Sequence, residues 1–166
     1  MLLFDQDIYN NKNINYYDIY VELCKMGKNI NNEYIYEALL DNKNKLILYT
    51  IDSDKASFDI ANCPCGLIYK VHKVNQKIYI YISFIATGYK YRNMGYASLF
   101  MKEFISYIKE KYVDYKMSII LDSLIESVTF YEHLGFKWVY DGHEYYEYLN
   151  ISLDDDVEHF IMVYCF

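Results

Sequence analysis

The run "KIYIYISFIATG" (77–88) alternates apolar and aliphatic-polar positions with a period of two. Within a few residues the pattern becomes helical: Ala97, Phe100, Met101, Phe104, Ile105, Ile108 and Tyr112 fall at i, i+3, i+4 and i+7 spacing. Alternation marks a strand with two unlike faces, whereas the 3.6-residue period marks a helix with one buried stripe. A long strand must therefore pass into a long helix through the short turn "YKYRNM". The chain is poor in structure breakers, with one proline and six glycines in 166 residues, so regular elements are expected along most of it. That length suits one domain, 1–166, and 54% hydrophobic content supplies a core.

Other segments follow the same two periods. The start reads as a short strand. "NYYDIYVELCKM" places Tyr16, Ile19 and Leu23 on one helical face, and "NNEYIYEALLDN" is a second helix between Asn-rich turns. "KLILYTID" and "CGLIYKVHK" are strands, the latter joined to 77–88 by the turn "VNQ". After the long helix come the strand "KMSIILD", a short helix in "SVTFYEHLGF", and the strands "FKWVY" and "HFIMVYCF". Val128, Tyr131 and Leu134 line up in that short helix, and Gly135 stands where a left-handed cap is wanted. The order is that of a mixed α/β (α+β) sheet, largely antiparallel at its start.

Composition excludes some functions. The formal charge is -7 and the pI about 5.0, which argues against a broad nucleic-acid surface and leaves a cationic partner open. No stretch approaches the ~20 apolar residues of a membrane span. "MLLFDQDIYN" is interrupted by Asp5 and Asp7 and does not read as a signal peptide, so a cytoplasmic location is expected. Cys63 and Cys65 in "CPCG" lack a matching second pair. No metal site is expected, and the four cysteines read as reduced structural thiols.

The turn itself has chemistry. A helix N-terminus exposes unpaired amides and the positive end of its dipole, a setting that binds anions. Gly95 removes a Cβ from that approach, Ala97 is small, Ser98 adds a hydroxyl, and Arg92, the only arginine, brings charge to the rim. A pyrophosphate would meet amides from about Met94 to Ser98. The pattern is neither a Walker loop nor a dinucleotide fingerprint.

"RNMGYA", followed after one strand by "FYEHLGF", resembles the GNAT superfamily of acetyl-CoA-dependent N-acetyltransferases. There the turn carries Arg/Gln-x-x-Gly-x-Gly/Ala and the later helix a Phe-Tyr-x-x-Leu-Gly-Phe pattern. The resemblance implies a mixed, mostly antiparallel sheet of about six to seven strands with about four helices and a splayed central strand pair. It implies acetyl-CoA as cosubstrate. The pantetheine arm would lie along Ile85, Ala86 and Thr87, with Gly88 as a bulge residue. The pyrophosphate would lie on Arg92, Asn93, Met94, Gly95, Tyr96, Ala97 and Ser98. Tyr131 takes the place of the tyrosine that protonates the departing thiolate and touches the cofactor. Where many relatives carry an Asn, this chain has Leu124, with Ser123 as the nearest polar substitute for cofactor contact. The glutamate base common on the splayed strand is missing. Tyr79, Tyr81, Ser83, Glu126, His133, His143 and Glu144 remain as candidates, directly or through water.

Acceptor choice in such proteins falls to the N-terminal helices and the last interstrand loop. Here that loop carries Asp141, Glu144, Glu147, Asp154, Asp155, Asp156 and Glu158 among Tyr145, Tyr146 and Tyr148. Carboxylates and aromatic faces both attract ammonium groups, which points to a polyamine or other small cationic amine. A lysine-bearing peptide or protein N-terminus is the rival acceptor, and a CoA-binding module without catalysis is the rival class. Exposed strand edges point to a homodimer.

Overall fold

The computed structural model describes residues 1–11, 14–55, 58–149, 151 and 158–166. The elements are β1 (Leu2–Phe4), α1 (Asp5–Tyr9), α2 (Tyr16–Met26), α3 (Asn32–Leu40), β2 (Asn44–Tyr49), β3 (Cys65–Val74), β4 (Lys77–Thr87), α4 (Tyr96–Lys111), β5 (Lys116–Ser123), α5 (Val128–His133), β6 (Lys137–Trp138), α6 (His143–Leu149) and β7 (Phe160–Cys165). The seven strands form one sheet in the order β1-β2-β3-β4-β5-β7-β6. It is mostly antiparallel. Only two residues connect β3 to its neighbour β4, a link that requires an antiparallel pair. Asn75 in that turn has φ 55°, a conformation asparagine tolerates. β4 and β5 are parallel, and α4 makes the crossover between them.

The chain forms two compact units. The first comprises Met1–Tyr69 and Phe84–Ile105, the second Lys70–Ser83 and Ser106–Phe166. In the first, α2 buries Ile19, Leu23 and Met26, while Tyr16 is only half-buried; the buried stripe lies one turn further on than the sequence reading placed it. Asn15 accepts the Asp18 amide at 2.9 Å and Asp18 answers at the Asn15 amide at 3.2 Å, which closes a capping box. Phe100, Met101 and Phe104 of α4 are fully buried, and the Phe104 ring meets Tyr69 edge-on at 5.2 Å. In the second unit, Ile120, Ile161, Val163 and Leu149 form a core, with Tyr79, Tyr81, Tyr145 and Tyr148 packed on it.

Three expectations need revision. There are six α-helices among the described residues rather than about four, because α1 and α6 were read as a strand end and a loop. β6 keeps only two of the five residues in "FKWVY". Gly88 is not a bulge: β4 ends at Thr87, and Gly88, at φ -56°, opens a 3-10 turn with its amide donating to the Pro64 carbonyl at 2.8 Å.

Candidate active site

In the first unit, the approach to α4 is built from short-range bonds. After Gly88 a 3-10 turn covers Tyr89–Tyr91, and the Arg92 amide donates to the Tyr89 carbonyl at 3.3 Å. Asn93 (φ 61°) and Gly95 (φ 82°) are both left-handed, two residues apart. The first intrahelical bond of α4 runs from the Leu99 amide to the Gly95 carbonyl at 3.1 Å. The amides of Tyr96, Ala97 and Ser98 precede it, so the helix itself offers them no acceptor. A Cβ added to Gly95 would meet no atom within 4 Å. Arg92 to Gly95 are exposed, and Tyr96, Ala97 and Ser98 are half-buried. The turn is therefore an accessible cluster of donors at the positive end of a 16-residue helix.

Arg92 spends its donors within the protein. Its Nε donates to the Thr87 carbonyl at 3.2 Å and its terminal nitrogen to the Met26 carbonyl at 3.3 Å. Its guanidinium also lies 5.9 Å from the centre of the Tyr89 ring. Met26 is the last residue of α2, whose C-terminal carbonyls favour a cation. One side chain thus ties the turn to the end of β4 and to the end of α2. The flexible ammonium of a lysine would not present the same fork of donors.

Ile85, Ala86 and Thr87 are half-buried on the last stretch of β4. The Thr87 hydroxyl is held near the Cys65 thiol at 3.4 Å, and burial pushes that thiol up to about 11. The β4–β5 ladder spans five pairs, from Lys77↔Lys116 to Tyr81↔Ile120. Beyond that last pair, β5 runs on to Ser123 and pairs there with β7.

In the second unit, "FYEHLGF" folds as a helix with a Schellman end. Gly135 (φ 94°) donates to the Glu132 carbonyl at 2.9 Å, and the Phe136 amide to the Tyr131 carbonyl at 3.1 Å. The same two residues make the apolar contact of the motif: the Tyr131 and Phe136 rings meet edge-on at 5.5 Å, and Phe130 meets Tyr131 at 5.1 Å. Tyr131 is 6% exposed, and burial alone raises its pKa above the ordinary tyrosine value. Its phenol is thus a proton-bearing group at neutral pH. Ser123 is buried, and its hydroxyl donates to the Leu124 carbonyl at 2.8 Å.

The candidate bases differ in setting. Glu126, His133, His143 and Glu144 are exposed, and His143 Nδ1 lies 3.0 Å from an Asp141 carboxylate oxygen. Tyr79 is stacked on Tyr148 at 4.5 Å. Sequence reasoning missed one pair. His159 Nδ1 lies 2.6 Å from Asp122 Oδ2, and the other Asp122 oxygen accepts the Phe160 amide at 3.0 Å. The imidazole side chain is only 11% exposed. This carboxylate-held imidazole is of the kind used in proton transfer, but its members sit 37 residues apart and only the β5–β7 pairing joins them. No spacing in the sequence announces it. Asp154, Asp155 and Asp156 lie outside the described residues. Among the described residues there is no group of three or more metal-type ligands, and no helix is long and apolar enough to cross a membrane.

Known proteins resemble this chain in sequence and fold. The acetyltransferase (GNAT) domain family matches residues 20–148, and the chain belongs to that family. Among solved structures, Tetrahymena GCN5 superposes with a TM-score of 0.66 at 12% identity, covering 99% of this chain and 93% of that one. Escherichia coli ElaA gives 0.60 at 13%, covering 98% and 96%. A Trypanosoma brucei acetyltransferase gives 0.53 at 14%, covering 82% and 92%. These likenesses concern the fold. No curated protein sequence matches the chain. The reaction of the family is acetyl transfer from acetyl-CoA.

Proposed function

We propose that this protein transfers the acetyl group of acetyl-CoA to a primary amine of a small polycation such as a polyamine. The observation that carries the reading is the N-terminus of α4, with its three amides ahead of the first helical bond and open space over Gly95. These residues fit a diphosphate: the amides of Tyr96, Ala97 and Ser98 would hold it, and Asn93, Met94 and Gly95 would leave room for it. Arg92 would act by fixing the turn and adding charge, as its bonds to Thr87 and Met26 support. Ile85, Ala86 and Thr87 would offer backbone groups to the pantetheine arm, and Ser123 would contribute a polar edge once its hydroxyl turns from Leu124.

Acetyl-CoA supplies the activated acyl group; the acyl carbon gains a bond to nitrogen and loses its bond to sulfur. Tyr131 Oη carries a proton throughout the neutral range and would deliver it to the departing sulfur, while the attacking nitrogen gives up its protons to solvent and Tyr131 regains one from there. The cationic acceptor is supported by the net charge of -7 and by Asp141, Glu144 and Glu147, all exposed around α6. The rings of Tyr145, Tyr146 and Tyr148 support it less, since Tyr79, His143 and His72 already engage them.

The test pairs binding with turnover. Gly95→Asn keeps a residue that accepts positive φ, whereas Gly95→Glu adds an anion beside the amides. Calorimetry with CoA should show at least tenfold weaker binding for the Glu variant and a smaller loss for Asn. A folded Gly95→Glu protein with undiminished affinity would overturn the cofactor site. Free-thiol release with spermidine should exceed that with a lysine peptide at equal concentration; the reverse order would reassign the acceptor.

A further inference from the structure

We propose a second small-molecule site in the unit formed by Lys70–Ser83 and Ser106–Phe166, one that takes a small organic anion with an aromatic body. It lies where β4 and β5 begin, ten residues before the end of β4 where the cofactor turn starts. Two adjoining cavities of about 580 and 250 Å3 both have Lys77, Tyr79 and Lys116 in their walls. The larger is bordered by the β3–β4 turn (Asn75, Gln76), the smaller by Ser118, Glu144 and Tyr145, and both open to solvent. Volumes of this size suit metabolites rather than water alone.

The charge arrangement indicates the ligand. Lys77 and Lys116 are direct partners in the parallel ladder, so their side chains leave the same face on adjacent strands. Like charges placed so repel. Neither lysine forms an ion pair among the described residues. The one carboxylate in the two walls, Glu144, neighbours Tyr145, whose pKa is raised by burial and then by Glu144. A bound anion would relieve the repulsion between the ammonium groups. The walls also carry two aromatic rings, those of Tyr79 and Tyr145. Tyr79 is stacked on Tyr148 and meets Tyr145 edge-on at 6.3 Å, so its ring is held in place. Helix α6 contributes Glu144 and Tyr145 to the smaller cavity, and its Tyr148 stacks on Tyr79. Ordered rings beside paired cations match a phosphate or carboxylate ester-sized head joined to a planar apolar group.

Calorimetry on the full chain tests this with CoA at saturating concentration, so that the α4 turn is occupied. Phenyl phosphate and benzoate are the anionic ligands, inorganic phosphate lacks the ring, and benzyl alcohol lacks the charge. The expected result is saturable binding of phenyl phosphate or benzoate, at least tenfold weaker in K77Q/K116Q, with inorganic phosphate weaker than phenyl phosphate. Which of the two aromatic anions binds more tightly identifies the head group. Both lysines are exposed, so the double variant should fold and keep its CoA affinity. Absence of binding by both aromatic anions, undiminished binding in K77Q/K116Q, or tighter binding of benzyl alcohol would overturn the proposal. CoA affinity is measured in the same proteins, so failure of the cofactor reading shows up separately.

Discussion

At the scale of single residues, burial keeps Tyr131, the proton donor proposed above, in its neutral form. Its ring is fixed between Phe130 and Phe136, and desolvation raises its pKa beyond the ordinary value of about 10. The neutral phenol is then the form the folded protein prefers. Two consequences follow from the sign. The stability this preference contributes is complete below about pH 10, the unfolded-state value, and is lost as pH rises through the folded-state value. An acid with a raised pKa also stays charged with its proton over the whole working range, so kcat should show no alkaline fall below pH 10 that Tyr131→Phe abolishes. We expect Tyr131→Phe to lower kcat by roughly 100-fold or more, with the KM for acetyl-CoA changed less than twofold. The ring and its contacts survive the substitution, so a thermal melt close to that of wild type must accompany the loss. Unchanged kcat in a folded variant would exclude Tyr131 as the proton donor.

Elements differ in how plainly the sequence announced them. The strand–turn–helix–strand–helix run from β4 to α5 was legible because each part has a strong local signal: alternation in β4, a heptad-like stripe in α4, and the glycine that ends α5. The residues of the turn were legible for the same reason, since a helix start that lacks a side-chain cap and begins with glycine reads as an open donor cluster. α6 was hidden. "HEYYEYL" contains no apolar stripe and is rich in tyrosine, a middling helix former. It becomes a helix because Tyr145, Tyr148 and Leu149 find a surface in Tyr79, His72 and Ile161 that only the folded sheet supplies. β6 shrank for a related reason: it is the last strand of the sheet and pairs with β7 through only two residues. The end of α5 carries a prediction. A Cβ at Gly135 would come 3.2 Å from Tyr164 and force a non-glycine residue to φ 94°. Gly135→Ala should cost about 1–2 kcal/mol, read as a thermal midpoint lower by about 2–4 °C for each kcal/mol in a chain this long. The Schellman bond from Phe136 to the Tyr131 carbonyl would loosen with it, so kcat should fall before CoA affinity does. Equal melting of the two proteins would show that the cap does not hold Tyr131 in place.

At the scale of the whole molecule, the net charge of -7 acts on the two substrates in opposite directions. Coenzyme A is a polyanion and must reach its turn against the field of the protein, helped only locally by Arg92 and the α4 dipole. A polyamine, the proposed acceptor, would be drawn in by the same field. Long-range attraction of this kind raises association rates and fades as salt shortens the screening length, from about 30 Å at 0.01 M to about 10 Å at 0.1 M. Binding held by local amides responds much less. Raising NaCl from 10 to 200 mM should therefore lower kcat/KM for spermidine several-fold, while the association rate of CoA stays level or increases. The slope should scale with acceptor charge, so that a monoamine such as benzylamine loses less than spermidine over the same range. Initial-rate measurements at fixed, saturating acetyl-CoA separate the two effects, because the cofactor's own salt response then drops out. If mono- and polyamines lost activity in equal proportion, the salt would be acting on the protein rather than on the acceptor's approach, and the acidic surface would be serving solubility instead of substrate capture.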